Sequence, residues 1–104
     1  MAETVTIARP YAEAVFSLAR EKGALAQWSD RLETLSAFAG NAEVSAVIDN
    51  PNVRQEQLVE LFSSACGKAD DGLTNLLKLL AQNDRLTVLP EIAGLYETMK
   101  RAEE

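Results

Sequence analysis

Two pairs of acidic residues are the first candidates for chemistry in this sequence of 104 residues. Asp70 and Asp71 are adjacent in the chain. Glu56 and Glu60 are four residues apart, which places both carboxylates on one face of a helix. Paired carboxylates can act as general acid and base, or bind a metal ion with ligands from a facing helix. Both pairs fall at predicted helix starts or on polar faces, so the sequence favours capping and solvation over a metal site.

The single cysteine is the only thiol that could act as a nucleophile. Cys66 follows Phe62 and Ala65 on a predicted helix, so we expect it to be a small buried apolar side chain. The chain has no histidine, which removes the commonest general base and the commonest metal ligand. The sequence also has no glycine-rich phosphate loop. We therefore predict no catalytic residues, no metal and no cofactor.

The charge of the chain limits the kinds of partner that it can bind. A net charge of −6 disfavours nucleic acid and direct binding to an anionic bilayer. No apolar run is long enough to span a membrane, and the N-terminal residues lack the charged-then-apolar order of a signal sequence. We expect an intracellular, soluble chain without direct membrane insertion, which works at a membrane only where a partner holds it.

Helical periodicity covers almost the whole chain, and almost nothing has the pattern of a β-strand. The sequence predicts an all-α fold, a compact six-helix bundle that forms one domain over residues 1–104. The predicted helices span about residues 6–22, 24–39, 41–49, 52–66, 70–83 and 87–101.

Several residues mark the predicted helix ends. Gly23, Gly40 and Gly67 each follow a helical run directly, where a left-handed C-cap residue is expected. Caps are also predicted at the starts of the first, third and fourth helices. They are Thr6 (which would place Pro10 near the first turn), Asn41, and a capping box of Asn52 with Gln55.

The first and fifth helices carry more apolar surface than one core contact requires. In the fifth helix Leu79 lies roughly 110° from the centre of a stripe of four other leucines. That stripe consists of Leu73, Leu76, Leu77 and Leu80. In the first helix the apolar positions cover roughly 200°, against about 100° for an ordinary core-facing helix. The surplus could line a groove that receives a partner's amphipathic helix, or the bundle could simply enclose the first helix.

The candidate partner-binding residues are those of the two surplus surfaces. On the first helix they are Ile7, Tyr11, Ala14, Val15 and Leu18, and on the fifth they are Asn75, Leu76, Leu79 and Asn83. Ala14 would permit close approach of another helix, and Tyr11 offers both apolar area and a hydroxyl group.

Two stretches of the sequence resemble the signatures of a known family. Residues 6–19 read TIARPYAEAVFSLA and residues 75–92 read NLLKLLAQNDRLTVLPEI. Both are similar to the delta subunit of bacterial F-type ATP synthase, whose mitochondrial counterpart is the oligomycin sensitivity-conferring protein. The resemblance covers the whole chain but only the N-terminal half of the family's protein, so we expect an isolated N-terminal domain without the C-terminal domain. The family often has glycine where Asp84 stands, and aspartate tolerates the same left-handed backbone.

The resemblance implies a non-catalytic stator component. It implies that the groove between the first and fifth helices receives the N-terminal helix of an α subunit. Tyr11, Ala14, Asn75, Leu79 and Arg85 match the family's binding region. The absent C-terminal domain would contact the b subunit of the peripheral stalk. The complex would hold the chain on the cytoplasmic side of the bacterial inner membrane, where it serves proton-driven ATP synthesis. The alternative is a small helical adaptor or self-associating module unrelated to ATP synthase.

Overall fold

Six α-helices and one turn of 3-10 helix make up the residues that the computed structural model describes, which are 3–67 and 70–103. These ranges contain no β-strand. The helices are α1 (Glu3–Glu21), α2 (Leu25–Ala39), α3 (Ala42–Asp49), α4 (Gln55–Ala65), α5 (Asp71–Gln82) and α6 (Leu89–Glu103), and the 3-10 turn (Leu86–Val88) precedes α6. The predicted all-α six-helix bundle is confirmed.

The last helix, α6, is the centre of the packing. It lies against both α1 and α2, while α4 packs on α5. Tyr96 of α6 is fully buried, and its ring meets Phe16 of α1 edge-on with 6.0 Å between the ring centroids. Its hydroxyl donates a 2.6 Å hydrogen bond to the carbonyl of Leu25 at the start of α2. One side chain therefore joins three helices.

The leucine pattern of α5 has the predicted burial. The four stripe residues are all in the core, and they are Leu73, Leu76, Leu77 and Leu80. Leu79, by contrast, keeps 49% of its surface exposed. Helical periodicity therefore predicted correctly which leucine of α5 the domain leaves uncovered.

Three of the predicted helix-end residues are confirmed, namely Gly23, Asn41 and Gly67. Asn41 caps α3, since its side-chain oxygen accepts hydrogen bonds from the amides of Glu43 and Val44. Gly23 and Gly67 have the left-handed backbone, with φ of +65° and +80°. The left-handed prediction for Gly40 is wrong, because its φ is −81°.

The reason for the Gly40 difference is local. The amide of Gly40 donates a regular helical hydrogen bond to the carbonyl of Ser36, so the right-handed turn continues through the glycine. The chain leaves the helix one residue later, at Asn41, whose backbone is extended. A glycine after a helical run therefore need not be the residue that reverses the backbone.

Two predicted helix starts are also wrong. The first helix begins at Glu3 instead of Thr6, so Pro10 lies inside α1. Half-buried Val5 lies on the same face as buried Ala8 and Ala12, and this extends the apolar stripe by about one turn. Pro10 removes only the hydrogen bond that its amide would have donated to the Thr6 carbonyl.

The capping box of α4 lies two residues later than predicted. The side chain of Gln57 accepts a 2.9 Å hydrogen bond from the amide of Arg54, the N-cap residue. The amide of Asn52 instead donates to the side chain of Asn50, in the turn around Pro51. The helix cannot begin before that turn is complete.

Candidate helix-binding groove

Helix α1 presents two apolar faces, and only one of them is core. The buried face consists of Ala8, Ala12, Val15 and Ala19. About 100° round the helix is a second face, formed by Ile7, Tyr11, Ala14 and Leu18. On this second face Ala14 is exposed and the three larger side chains are half-buried. The wide apolar arc is therefore divided between the core and a partly open surface.

Two of the predicted partner-binding residues belong to the core. Val15 is only 3% exposed and Leu76 only 7%, so neither offers much area to a partner. Both lie at the inner border of the predicted surface. Periodicity alone does not show whether a residue at that border faces the groove or the core. The open residues on α5 and its C-cap are Asn75, Leu79 and Asn83.

Side-chain contacts join α1 and α5 at two points. At one end, Asn83 Nδ2 donates a 3.1 Å hydrogen bond to Tyr11 Oη. At the other, a β-carbon placed on Gly72 would lie 3.1 Å from Leu18 Cδ2. The contacts pair a later residue of α1 with an earlier one of α5, so the two helices run antiparallel.

The two contacts show which side of α5 faces α1. On a helical wheel Leu79 falls within about 40° of both Gly72 and Asn83, which are the two contact positions. Its half-exposed side chain therefore lies on the side of α5 that faces α1, between those contacts. We call this strip the α1–α5 groove, and its open residues are Ile7, Tyr11, Ala14, Leu18, Asn75, Leu79 and Asn83.

The open residues of the groove carry no formal charge, while charged groups stand at its two ends. Asp70 lies at the end marked by Leu18, and its carboxylate pairs with Arg31 Nη2 at 2.9 Å. The amide of Leu73 and the guanidinium of Arg31 together lower the pKa of Asp70, which is therefore ionised at neutral pH. An uncharged centre suits an apolar partner, since no charge has to lose its water on binding.

Arg85 stands at the other end, just beyond the turn that follows α5. Asp84 has a left-handed backbone with φ of +59°, as predicted from aspartate's tolerance of that region. The turn is tight, since the amide of Arg85 donates a 2.7 Å hydrogen bond to the carbonyl of Leu80. Arg85 is half-buried next to the end of the groove where Asn83 meets Tyr11.

The acidic residues and the thiol that were candidates for chemistry lie in positions that suit structural roles. Asp70 caps α5, with its side-chain oxygen accepting a hydrogen bond from the amide of Leu73. Glu56 and Glu60 are exposed on α4, and within residues 3–67 and 70–103 no group of three or more potential ligands could hold a metal ion. Burial raises the pKa of half-buried Cys66, which keeps it a protonated thiol at neutral pH.

The position of Gly72 in this groove was not predicted. The sequence showed Gly72 only as an isolated glycine that does not belong to a phosphate loop. Its contact with Leu18 comes from the packing of two distant helices. The available signal was a glycine in the first turn of an otherwise strongly apolar helix, a pattern that points to a close approach.

Comparison with known proteins agrees with the resemblance of the two signatures. The model of the ATP synthase delta (OSCP) subunit family matches residues 7–104. The chain belongs to this family. It is 61% identical to ATP synthase subunit delta of Dechloromonas aromatica, and 48% identical to those of Nitrosospira multiformis and Methylobacillus flagellatus. Each comparison covers 100% of this chain and 59% of the relative, so the chain spans about three-fifths of these relatives.

Family membership supports the resemblance to ATP synthase subunit delta over the alternative of an unrelated adaptor. The structure adds that none of its helices, over the part of the chain it describes, is long and apolar enough to cross a bilayer.

Proposed function

We propose that this chain is the N-terminal domain of a delta subunit and acts as a non-catalytic stator component of F-type ATP synthase. Its α1–α5 groove binds the N-terminal helix of an α subunit. The observation that carries the proposal is Leu79, an apolar side chain that is 49% exposed on the side of α5 facing α1. Family membership supports the assignment to ATP synthase.

The chemistry of the groove suits a static contact. A stator has to resist torque, and for that it needs a tight, shape-matched interface rather than titrating groups. An amphipathic helix laid in the groove would cover the open parts of Leu79, Tyr11 and Leu18. The exposed methyl group of Ala14 lets the partner's backbone come close. The proposed role requires no catalytic residue in this chain.

The rest of the role depends on the complex. In this proposal the part of the delta subunit beyond these 104 residues contacts the b subunit of the peripheral stalk. The α-subunit helix connects the domain to the catalytic head. The complex thereby holds the chain at the cytoplasmic side of the bacterial inner membrane as a peripheral component.

NMR titration of the 104-residue chain tests the groove directly. The probe is a synthetic peptide of the α-subunit N-terminus from the same organism. We expect the signals of Tyr11 and Leu79 to shift on addition of peptide. Leu61 of α4 is the internal control, because it is also a large exposed apolar residue, at 36%, but lies on another helix. Shifts confined to α3 and α4 would contradict the groove assignment.

Sedimentation of the same chain tests whether a second copy of the chain, instead of the α-subunit helix, occupies the groove. The stator proposal predicts a mass that does not change with concentration. A mass that rises with concentration, together with loss of the peptide-induced shifts, would mean that a second copy occupies the groove.

A further inference from the structure

Three helices meet at the start of α5, and an ion pair ties two of them together. Asp70 uses both carboxylate oxygens at this point. One accepts a 2.9 Å hydrogen bond from the amide of Leu73, which caps α5. The other pairs with Arg31 Nη2 of α2, also at 2.9 Å. The first turn of α5 is therefore fixed to α2 through its own cap residue.

The arginine of this pair is itself firmly held. Arg31 is only 9% exposed, and its guanidinium lies over the ring of Trp28 with 4.9 Å to the ring centroid. A guanidinium that stacks on an indole and pairs with a carboxylate has little freedom to move. The pair with Asp70 therefore connects α5 to a buried side chain of α2.

Gly72 follows directly in the same turn, where a side chain would crowd two neighbouring side chains. A β-carbon at Gly72 would lie 3.1 Å from Leu18 Cδ2 and 3.3 Å from Trp28 Cζ2. Both distances are shorter than ordinary van der Waals contact, so both neighbours would have to move by a few tenths of an ångström. With glycine at residue 72, the start of α5 approaches α1 and α2 without crowding these two side chains.

We propose that Gly72 and the Arg31–Asp70 ion pair are positioning residues that set the shape of the α1–α5 groove at its Leu18 end. They act through Leu18, which belongs to the groove, and not by contacting the partner themselves. This inference rests on the proposed function. The Tyr11–Asn83 hydrogen bond joins the other end, so the two contacts together fix how α5 lies along α1.

A Gly72→Ala variant tests the inference. The added methyl group pushes Leu18 out of place, so affinity for the α-subunit peptide should fall about tenfold. Gly94→Ala is the matched control, because it makes the same change in α6 at an exposed position with no atom within 4 Å. Gly94→Ala should bind the peptide like the unchanged chain. Titration by calorimetry measures both affinities.

A double-mutant cycle separates positioning from general destabilisation. Leu18→Ala lowers affinity by itself but removes the nearer of the two atoms that the new methyl group meets. In that background Gly72→Ala should lower affinity by less than about twofold. If the loss is again about tenfold, the effect does not pass through Leu18 and the inference is wrong.

Signals of the free chain distinguish this inference from the proposed function. Without any peptide, Gly72→Ala should shift the Leu18 methyl and Trp28 indole signals, while Gly94→Ala should leave them in place. Unshifted signals would overturn the positioning role. If these signals shift but the unchanged chain does not bind the peptide, the proposed function fails while the packing part of the inference stands.

Asp70→Asn provides a second variant in case Gly72→Ala impairs folding. Asparagine is as good an N-cap as aspartate, so α5 keeps its cap while the ion pair with Arg31 loses its charge. We expect the Leu18 methyl signal to shift and peptide affinity to fall about threefold. Unchanged affinity together with an unmoved Leu18 signal would contradict the positioning role of the ion pair.

Discussion

Asn83 donates a 3.1 Å hydrogen bond from its side-chain amide to the hydroxyl oxygen of Tyr11, a residue 72 positions earlier in the chain. Asn83 is the C-cap of α5, while Tyr11 lies in α1. The bond therefore shows directly that these two helices are neighbours at this end. It also places two of the predicted groove residues in contact with each other.

Removing the Tyr11 hydroxyl tests this bond. Tyr11→Phe keeps the ring but loses the hydrogen bond, which is exposed to solvent and should contribute at most about 1 kcal/mol to the free energy of unfolding. Urea denaturation measures that change. Peptide affinity should fall only a few-fold, and Tyr11→Ala, which also removes the ring, should lower it much more. Equal affinities for the two variants would mean that the ring does not contact the partner.

Leu79→Ala should weaken binding without weakening the domain. Leu79 is about half exposed, so the folded state gains little from its outer atoms. In the proposed complex these atoms are buried, and truncation should cost about 1.4 kcal/mol, or about tenfold in affinity. Calorimetric titration with the α-subunit peptide measures the loss. Leu61→Ala is the control, and an equal loss in that variant would show that the effect is not specific to the groove.

A charge at Ala14 should abolish binding and leave the fold intact. Ala14 is exposed in the free domain, so Ala14→Asp places the carboxylate in water until a partner arrives. In the complex the charge would be desolvated without a partner, at a cost of several kcal/mol. Circular dichroism checks the helical content and titration checks binding. Ala46→Asp makes the same change at an exposed position of α3. Collapse of helicity in Ala14→Asp alone would show that Ala14 supports the core.

Local signals were enough to predict most of the fold. The buried leucines of α5, the cap at Asn41 and the left-handed turn at Asp84 each depend on residues within one or two helical turns. Periodicity also gives the angle at which a residue leaves its helix, and so identified Leu79 as lying apart from the core stripe. It does not show how far the neighbouring helix lies, and for that reason Val15 was placed in the groove although it is buried.

The remaining features of the groove are long-range. Asn83 and Tyr11 come from opposite ends of the chain, and the Arg31–Asp70 ion pair joins α2 to α5. Neither contact has a sequence pattern of its own, because an arginine or an asparagine on a helix usually faces water. Such contacts become visible only once packing has brought the helices together.

Acidification should remove the contribution of Asp70 to stability. The Leu73 amide and Arg31 lower the pKa of Asp70 in the folded chain. Its contribution to stability is therefore complete above the ordinary pKa of about 4, and it is lost as the pH falls through the lowered pKa of the folded chain. Asp70→Asn should therefore be less stable than the unchanged chain at neutral pH, with the difference shrinking below about pH 4. Urea denaturation of the unchanged chain and of Asp70→Asn across this pH range measures the stability difference. A difference that stays constant with pH would contradict the charge-based role.

Alkaline pH should destabilise the domain through ionisation of Tyr96. Burial and the neighbouring Glu97 carboxylate raise the pKa of Tyr96 to about 12 from its ordinary 10.0, so the folded state favours the neutral phenol. The resulting stability is complete below about pH 10 and is lost as the pH rises towards 12.

Tyr96→Phe also loses the hydrogen bond to the Leu25 carbonyl and should be about 1 kcal/mol less stable at neutral pH. Because the variant has no phenol to ionise at this position, its deficit should narrow between about pH 10 and 12 in urea denaturation. A deficit that widens there would show that ionisation of Tyr96 does not drive the alkaline loss.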